Sequence, residues 1–334
     1  MSDLPISGRL ATVFGGSGFI GRYVVRALAK NGWRVRAAVR RPDLAGHLQP
    51  MGFPGQVQAV QANIRYPKSI AAAVDGADAV VNLVGILAAT GKQTFDALQA
   101  DGARDIATAA AAAGATQMVQ VSAIGADAQS KAAYARTKAE GEAGVLAAFP
   151  GAVILRPSIV FGPEDEFFNR FAEMATVSPF LPLIGGGKTK FQPVYVGDVA
   201  EAVLVACEGG AKPGTTYELG GPEVLSFRTL LDRVQEWSDR DRAYMPLPFF
   251  GAKIMGALTK PLPSGLRPIT VDQVRMLQSD NVVSKAALDE GRTLAGLGSL
   301  PFAVPPIVFG VGLGFYWSFL GGLGDVWAGI VSHA

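Results

Sequence analysis

Leu10-Ala11-Thr12-Val13-Phe14-Gly15-Gly16-Ser17-Gly18-Phe19-Ile20-Gly21 passes from an apolar strand into a glycine turn, and Tyr23-Val24-Val25-Arg26-Ala27-Leu28 continues it as a helix. Strand, glycine turn and helix in that order suit a dinucleotide pyrophosphate. The turn must be tight, the backbone must approach the phosphates closely, and the helix N-terminus must face the anion. Gly15 suits the turn, Gly18 permits the approach, and Gly21 lets the helix pack back. Ser17, Phe19 and Ile20 fall between them as further cofactor contacts. An ordinary βα-turn carries glycines too, so the flanking strand and helix decide the reading.

Outward from this turn, apolar runs of strand length alternate with helical ones. Arg34–Arg40, Gln56–Val60, Ala79–Gly85, Gln117–Ser122 and Ala152–Arg156 read as the next five strands, with an alanine-rich helix at Ala107–Ala113. The alternation implies an α/β fold, a doubly wound parallel sheet of the Rossmann type. From Pro157 onward Pro and Gly become frequent and the rhythm breaks. The expected division is therefore a nucleotide-binding domain over 8–156, a smaller irregular C-terminal lobe over 157–298 that partly re-enters the sheet, and an apolar tail over 299–334.

The chain is 334 residues long, enough to bury a sizeable core. Thirty basic residues against 28 acidic ones leave no nucleic-acid footprint. Cys207 is the single cysteine and lies in an apolar helical run, so it reads as a core residue in a reducing compartment. With only His47 and His333, no metal site is expected. No leader pattern precedes the first strand, so the chain is expected to stay where it is made.

Two groups of residues carry chemistry. Arg40 and Arg41 end the second strand, where an acidic side chain would hold ribose hydroxyls and an arginine accommodates a 2′-phosphate, which points to NADP(H). A solvated basic turn before Pro42 is the other reading. Asn63 follows the third strand, where proteins that this chain resembles commonly place an Asp beside the adenine and an amide could serve; Val84 and Gly85 close the fourth, where small residues let the backbone touch a cofactor. In the second group, Tyr134 and Lys138 are four apart and share a helix face. An ammonium beside a phenol favours phenolate and draws a tyrosine towards working pH. Ser122 ends the preceding strand and would bond a substrate carbonyl; Pro157, Ser158 and Ile159 lie in the stretch Arg156–Gly162, which resembles the loop that covers the nicotinamide in the short-chain dehydrogenase/reductase superfamily. Asp198, with Glu201 three residues on, reads as a helix N-cap.

The spacing G-x-x-G-x-x-G resembles the short-chain dehydrogenase/reductase superfamily, particularly its extended and atypical branches. Three longer stretches narrow the resemblance: Phe161–Phe171, Phe191–Val199 and Thr270–Asn281, with Pro246-Leu247-Pro248-Phe249-Phe250 between the last two. Together they resemble the nucleotide-binding accessory subunit of respiratory complex I, over roughly residues 8–298. That resemblance implies a tightly held NADPH, docking onto other complex I subunits beside the membrane, and no part in the electron path. It implies a place on the cytoplasmic face of a bacterial inner membrane, equivalent to the mitochondrial matrix side.

The tail departs from the resemblance. No charge occurs between Arg292 and Asp325, and 306–324 is long enough to span a bilayer, although Pro305-Pro306 and six glycines from Gly310 to Gly324 weaken a helix. Contact with a membrane surface is the expectation for it, and packing on protein the alternative. Two functions stay open. One is an accessory subunit that binds NADP(H) without turnover; the other is an NAD(P)H-dependent reductase or sugar-nucleotide epimerase, which the retained Ser122, Tyr134 and Lys138 favour.

Overall fold

The computed structural model describes residues 6–259 and 269–297; the apolar tail lies outside them. Its first half runs β1 (Leu10–Phe14), α1 (Phe19–Lys30), β2 (Arg34–Val39), β3 (Val57–Gln61), α2 (Pro67–Val74), β4 (Ala79–Asn82), α3 (Gly102–Ala112), β5 (Gln117–Val121), α4 (Ala133–Ala148) and β6 (Val153–Pro157). The second half runs β7 (Val160–Phe161), α5 (Phe168–Val177), β8 (Phe180–Ile184), β9 (Lys190–Phe191), β10 (Val194–Tyr195), α6 (Val196–Cys207) and β11 (Thr216–Leu219). It ends with β12 (Leu225–Ser226), α7 (Phe227–Trp237), β13 (Ala243–Leu247), α8 (Phe249–Leu258), α9 (Val271–Met276) and α10 (Lys285–Asp289).

Seven strands form one sheet in the order β11-β6-β5-β4-β1-β2-β3, every pair parallel. A parallel sheet is covered on both faces, so its inner strands read as unbroken apolar runs, and all five residues of β1 are buried. Val13, Val25, Leu28, Val199 and Val203 fill one face, where α1 meets α6. Phe14, Ile70, Ile106 and Met118 fill the other under α2 and α3. The strand order reverses between β1 and β4, which opens the crevice where nucleotides bind in such folds.

After β6 the chain leaves the sheet and returns to it with α6 and β11. Between and beyond these, Phe161, Phe168, Phe191, Phe227, Leu231 and Val234 build a separate aromatic core, with β8 and β13 as a parallel pair beside it. Ring pairs such as Phe167–Phe171 (5.2 Å) and Phe171–Phe227 (5.6 Å) meet edge to face. Helix α8 buries its small residues Ala252 and Gly256 and leaves Phe250, Ile254 and Leu258 exposed. No helix among the described residues is long and apolar enough to cross a membrane.

Several expectations shift in detail. The fourth strand stops at Asn82, three residues early, because the Asn82 side-chain oxygen accepts the Val84 N–H at 3.0 Å and turns the chain. The alanine-rich helix starts at Gly102, after a π-helical stretch, Asp96–Asp101. Asp198 is not an N-cap: Tyr195 holds that position and Asp198 lies inside the first turn of α6 with no capping bond.

Candidate nucleotide site

The turn after β1 is built on two requirements that only glycine meets. Gly15 sits at φ 79°, in the left-handed region. A Cβ on Gly21 would stand 2.2 Å from the Gly15 carbonyl oxygen and 2.7 Å from Gly16, so α1 could not lie against the turn. Gly18 differs from both. Its φ is ordinary (−76°), it is exposed, and a Cβ there would meet only the Gly15 oxygen at 3.3 Å. What Gly18 keeps clear is the space outside the protein.

The first hydrogen bond into α1 runs from the Arg22 N–H to the Gly18 carbonyl at 3.1 Å. The earlier N–H groups of the helix, at Phe19, Ile20 and Gly21, therefore point forward from a positive helix end. No acidic residue lies in that first turn. Val84 abuts this loop from the β4 end: its N lies 3.4 Å from where a Gly15 Cβ would be. Phe19 is held from the other side by Gly162, whose absent Cβ would come within 3.1 Å of the ring. Glu164 braces the same helix, accepting from Arg22 and from the Tyr23 hydroxyl, both at 3.0 Å.

At the outer end of β2, the Arg40 guanidinium is exposed and donates to the Gln93 side-chain oxygen at 2.7 Å. Arg41 is exposed too, and its charge is taken by Asp43 at 2.7 Å, an acidic neighbour that the strand-end reading passed over. The pair with Arg41 draws the Asp43 carboxyl below its usual range. Of the two arginines, Arg40 alone keeps a neutral partner. Asn63 uses its side-chain oxygen to accept the Arg65 N–H at 3.2 Å, an Asx turn that shapes the loop after β3.

The second group converges at the ends of β4, β5 and β6. Ser122 follows β5; its N–H bonds the Leu155 carbonyl at 2.7 Å, and its hydroxyl is buried with no partner among the described residues. The Lys138 ammonium donates to the Val121 carbonyl at 3.2 Å, lies 6.0 Å from the Tyr134 ring centre, and would be 3.4 Å from a Cβ on Gly85. An orphaned buried hydroxyl at Ser122 fits the amide end of a nicotinamide, as the helix start fits its pyrophosphate.

The expected activation of Tyr134 is not met by the chain's own groups. Burial pushes the phenol up to about 12, and burial pulls Lys138 down to about 8 against the opposing charge of Glu142 one turn on. The ammonium is turned to a backbone carbonyl and not held on the phenol oxygen. Glu142 in turn is engaged by Arg156 of β6 at 2.5 Å. Pro157 ends β6, the Ile159 carbonyl accepts from Val194 at 3.0 Å, and the Ser158 hydroxyl donates to Asn281 at 2.7 Å. Sequence reading placed Ser158 on a ligand; here a side chain 123 residues away occupies it.

Asp272 was not singled out from the sequence, yet its two oxygens accept the N–H groups of Ala133 (2.8 Å) and Tyr134 (2.9 Å). The only local signal was its place in the stretch Thr270–Asn281.

Residues 11–220 match the NAD dependent epimerase/dehydratase family. A solved dTDP-glucose 4,6-dehydratase from Streptomyces venezuelae, with NAD bound, superposes with a TM-score of 0.63 at 22% identity, covering 72% of this chain and 84% of that one. The "NADH dehydrogenase [ubiquinone] 1 alpha subcomplex subunit 9, mitochondrial" of Arabidopsis thaliana is 40% identical over 298 residues, covering 85% of this chain and 73% of the relative. A "Ceramide reductase" of Caulobacter vibrioides is 33% identical over 198 residues, covering 59% of this chain and 61% of that protein. The fold is that of NAD-binding epimerases and dehydratases, and the likeness to the plant subunit covers more of the chain than the domain match alone. The chain belongs to the NAD dependent epimerase/dehydratase family and, within it, to the family of the complex I alpha subcomplex subunit 9.

Proposed function

We propose that this chain is an accessory subunit of a respiratory NADH:quinone oxidoreductase, holding NADP(H) as a fixed ligand that supports folding and assembly. The observation that carries this reading is the likeness in sequence: 85% of the chain aligns with the plant subunit at 40% identity, beyond the residues 11–220 that match the epimerase/dehydratase family. The site is consistent with a held and unreacted cofactor. Gly18 and the start of α1 would take the pyrophosphate, Arg40 the 2′-phosphate, and Ser122 with Lys138 the nicotinamide end. When bound, the nicotinamide supplies hydride chemistry; the residues around it supply position and dryness. Tyr134, held near 12 by burial, keeps its proton at neutral pH. The subunit would sit peripherally on the cytoplasmic face of the membrane, held by partner subunits. Native gels in mild detergent test this: the chain is expected to co-migrate with the oxidoreductase and, on denaturation, to release NADP(H), read as NADPH in an alkaline extract and as NADP+ in an acid one.

A second reading rests on the unpartnered Ser122 hydroxyl next to Tyr134 and Lys138, a constellation that a reductase would use on a carbonyl. It predicts steady NADPH oxidation by the purified chain with a lipid or sugar carbonyl. Turnover of that kind, with no complex co-migrating, would replace the first reading.

A further inference from the structure

We propose that Thr270–Asn281 is a strap that positions the nicotinamide end of the nucleotide site, with Asp272 and Asn281 as its positioning residues. Three segments line that end: the loop after β5 that begins at Ser122, the start of α4 with Tyr134, and the loop after β6 with Ser158. The strap bonds all three. Asp272 accepts from Ala133 and Tyr134. Arg275 donates to the Lys131 carbonyl at 3.0 Å, just ahead of α4. Asn281 donates to the Ile124 carbonyl at 3.1 Å and accepts the Ser158 hydroxyl at 2.7 Å on its side chain and 2.9 Å on its backbone.

The helix that carries Tyr134 and Lys138 has no cap of its own. Its N-cap is Ala132, which has no side-chain acceptor, and the carboxylate that serves its first two N–H groups comes from 138 and 139 residues away. Helix starts normally find that acceptor within the local sequence. The strap is itself stiff: Thr270 and Gln273 form a reciprocal capping box, and Val274 is fully buried in the aromatic core of the lobe. Any shift of the lobe relative to the sheet therefore moves the start of α4 and the Ser158 loop together. By linkage, whatever holds the lobe in place tightens nucleotide binding, and bound nucleotide favours the held lobe by the same factor.

This inference rests on the nucleotide reading given above, and the test separates the two. The full chain is titrated with NADPH and with 2′-phospho-ADP-ribose, which has the phosphates and adenosine but no nicotinamide. Wild-type binding of both probes the nucleotide reading; its absence would sink both proposals. Asp272→Ala and Asn281→Ala are expected to weaken NADPH about tenfold, the scale of one lost cap. Neither should change 2′-phospho-ADP-ribose by more than about twofold, since among the described residues no hydrogen bond joins the strap to the Gly15–Gly21 turn. Asp272→Asn keeps one acceptor oxygen, should fold if the alanine variant does not, and is expected to fall between. Equal weakening of both ligands would mean general loosening, and unchanged NADPH affinity would mean no positioning role. Either result overturns the strap.

Discussion

At the scale of single residues, charge decides two outcomes. Among the described residues Arg40 has an amide for a partner, whereas Arg41 is neutralised by Asp43. Arg40→Asp is therefore expected to weaken NADPH far more than NADH, by about tenfold or more in a fluorescence titration, and Arg41→Ala much less. Equal loss of both nucleotides on Arg40→Asp would remove the 2′-phosphate from that side chain. Asp198 is the other case. Burial lifts its carboxyl from the usual range to about 6, with no bonded cation among the described residues to offset it. Between roughly pH 4 and pH 6 the native state holds a proton that the unfolded chain has released, so stability falls as pH rises through that window. Above it the penalty is complete. Asp198→Asn is thus expected to gain about 1–2 kcal/mol at pH 7, and nothing near pH 3.5, in denaturant melts at the two pH values.

At the scale of elements, the glycine turn separates fold from function. Gly21→Ala drives a methyl into the Gly15 carbonyl and should cost about 1–3 kcal/mol, read as a lower urea midpoint. Gly18→Ala meets one atom at 3.3 Å and should leave that midpoint nearly unchanged while nucleotide affinity drops. A Gly18→Ala protein with wild-type affinity would mean that no ligand approaches there. Elements of this kind were legible in the sequence because their causes are local: an apolar run long enough for a doubly covered strand, or three glycines at fixed spacing. What escaped had distant causes. β11 contains only four residues with Glu218 among them, and it becomes a strand by pairing with β6. The Asp198 and Glu201 pair imitates a local cap, but the helix begins two residues earlier, where β10 hands over at Tyr195. Asp272 caps a helix 138 residues upstream, and no local pattern announces such a bond. Tyr134 and Lys138 were found as a pair from spacing alone. Their proton affinities were not, because burial sets both, with Glu142 opposing it at Lys138.

At the scale of the whole molecule, a ligand that binds only the folded state adds its mass-action energy to the entire chain. NADPH at 100 times its dissociation constant is expected to add about 2.7 kcal/mol, visible as a raised melting temperature that titrates with concentration. A melting temperature indifferent to NADPH would contradict a stabilising role. The same global cooperativity can be watched through Cys207. It is the chain's only cysteine, it is 2% exposed at the end of α6 where that helix meets α1, and burial, with Glu208 adding to it, lifts its thiol to about 12. Thiol reagents attack the thiolate, so the native protein is chemically silent to maleimide, and modification must wait for an opening that exposes the packed α1–α6 face. Maleimide uptake then becomes a clock for that opening, slowed by nucleotide if the ligand holds the sheet domain shut. A cysteine introduced at an exposed position such as Phe250 would label at once, giving a single-site reporter on an otherwise inert chain.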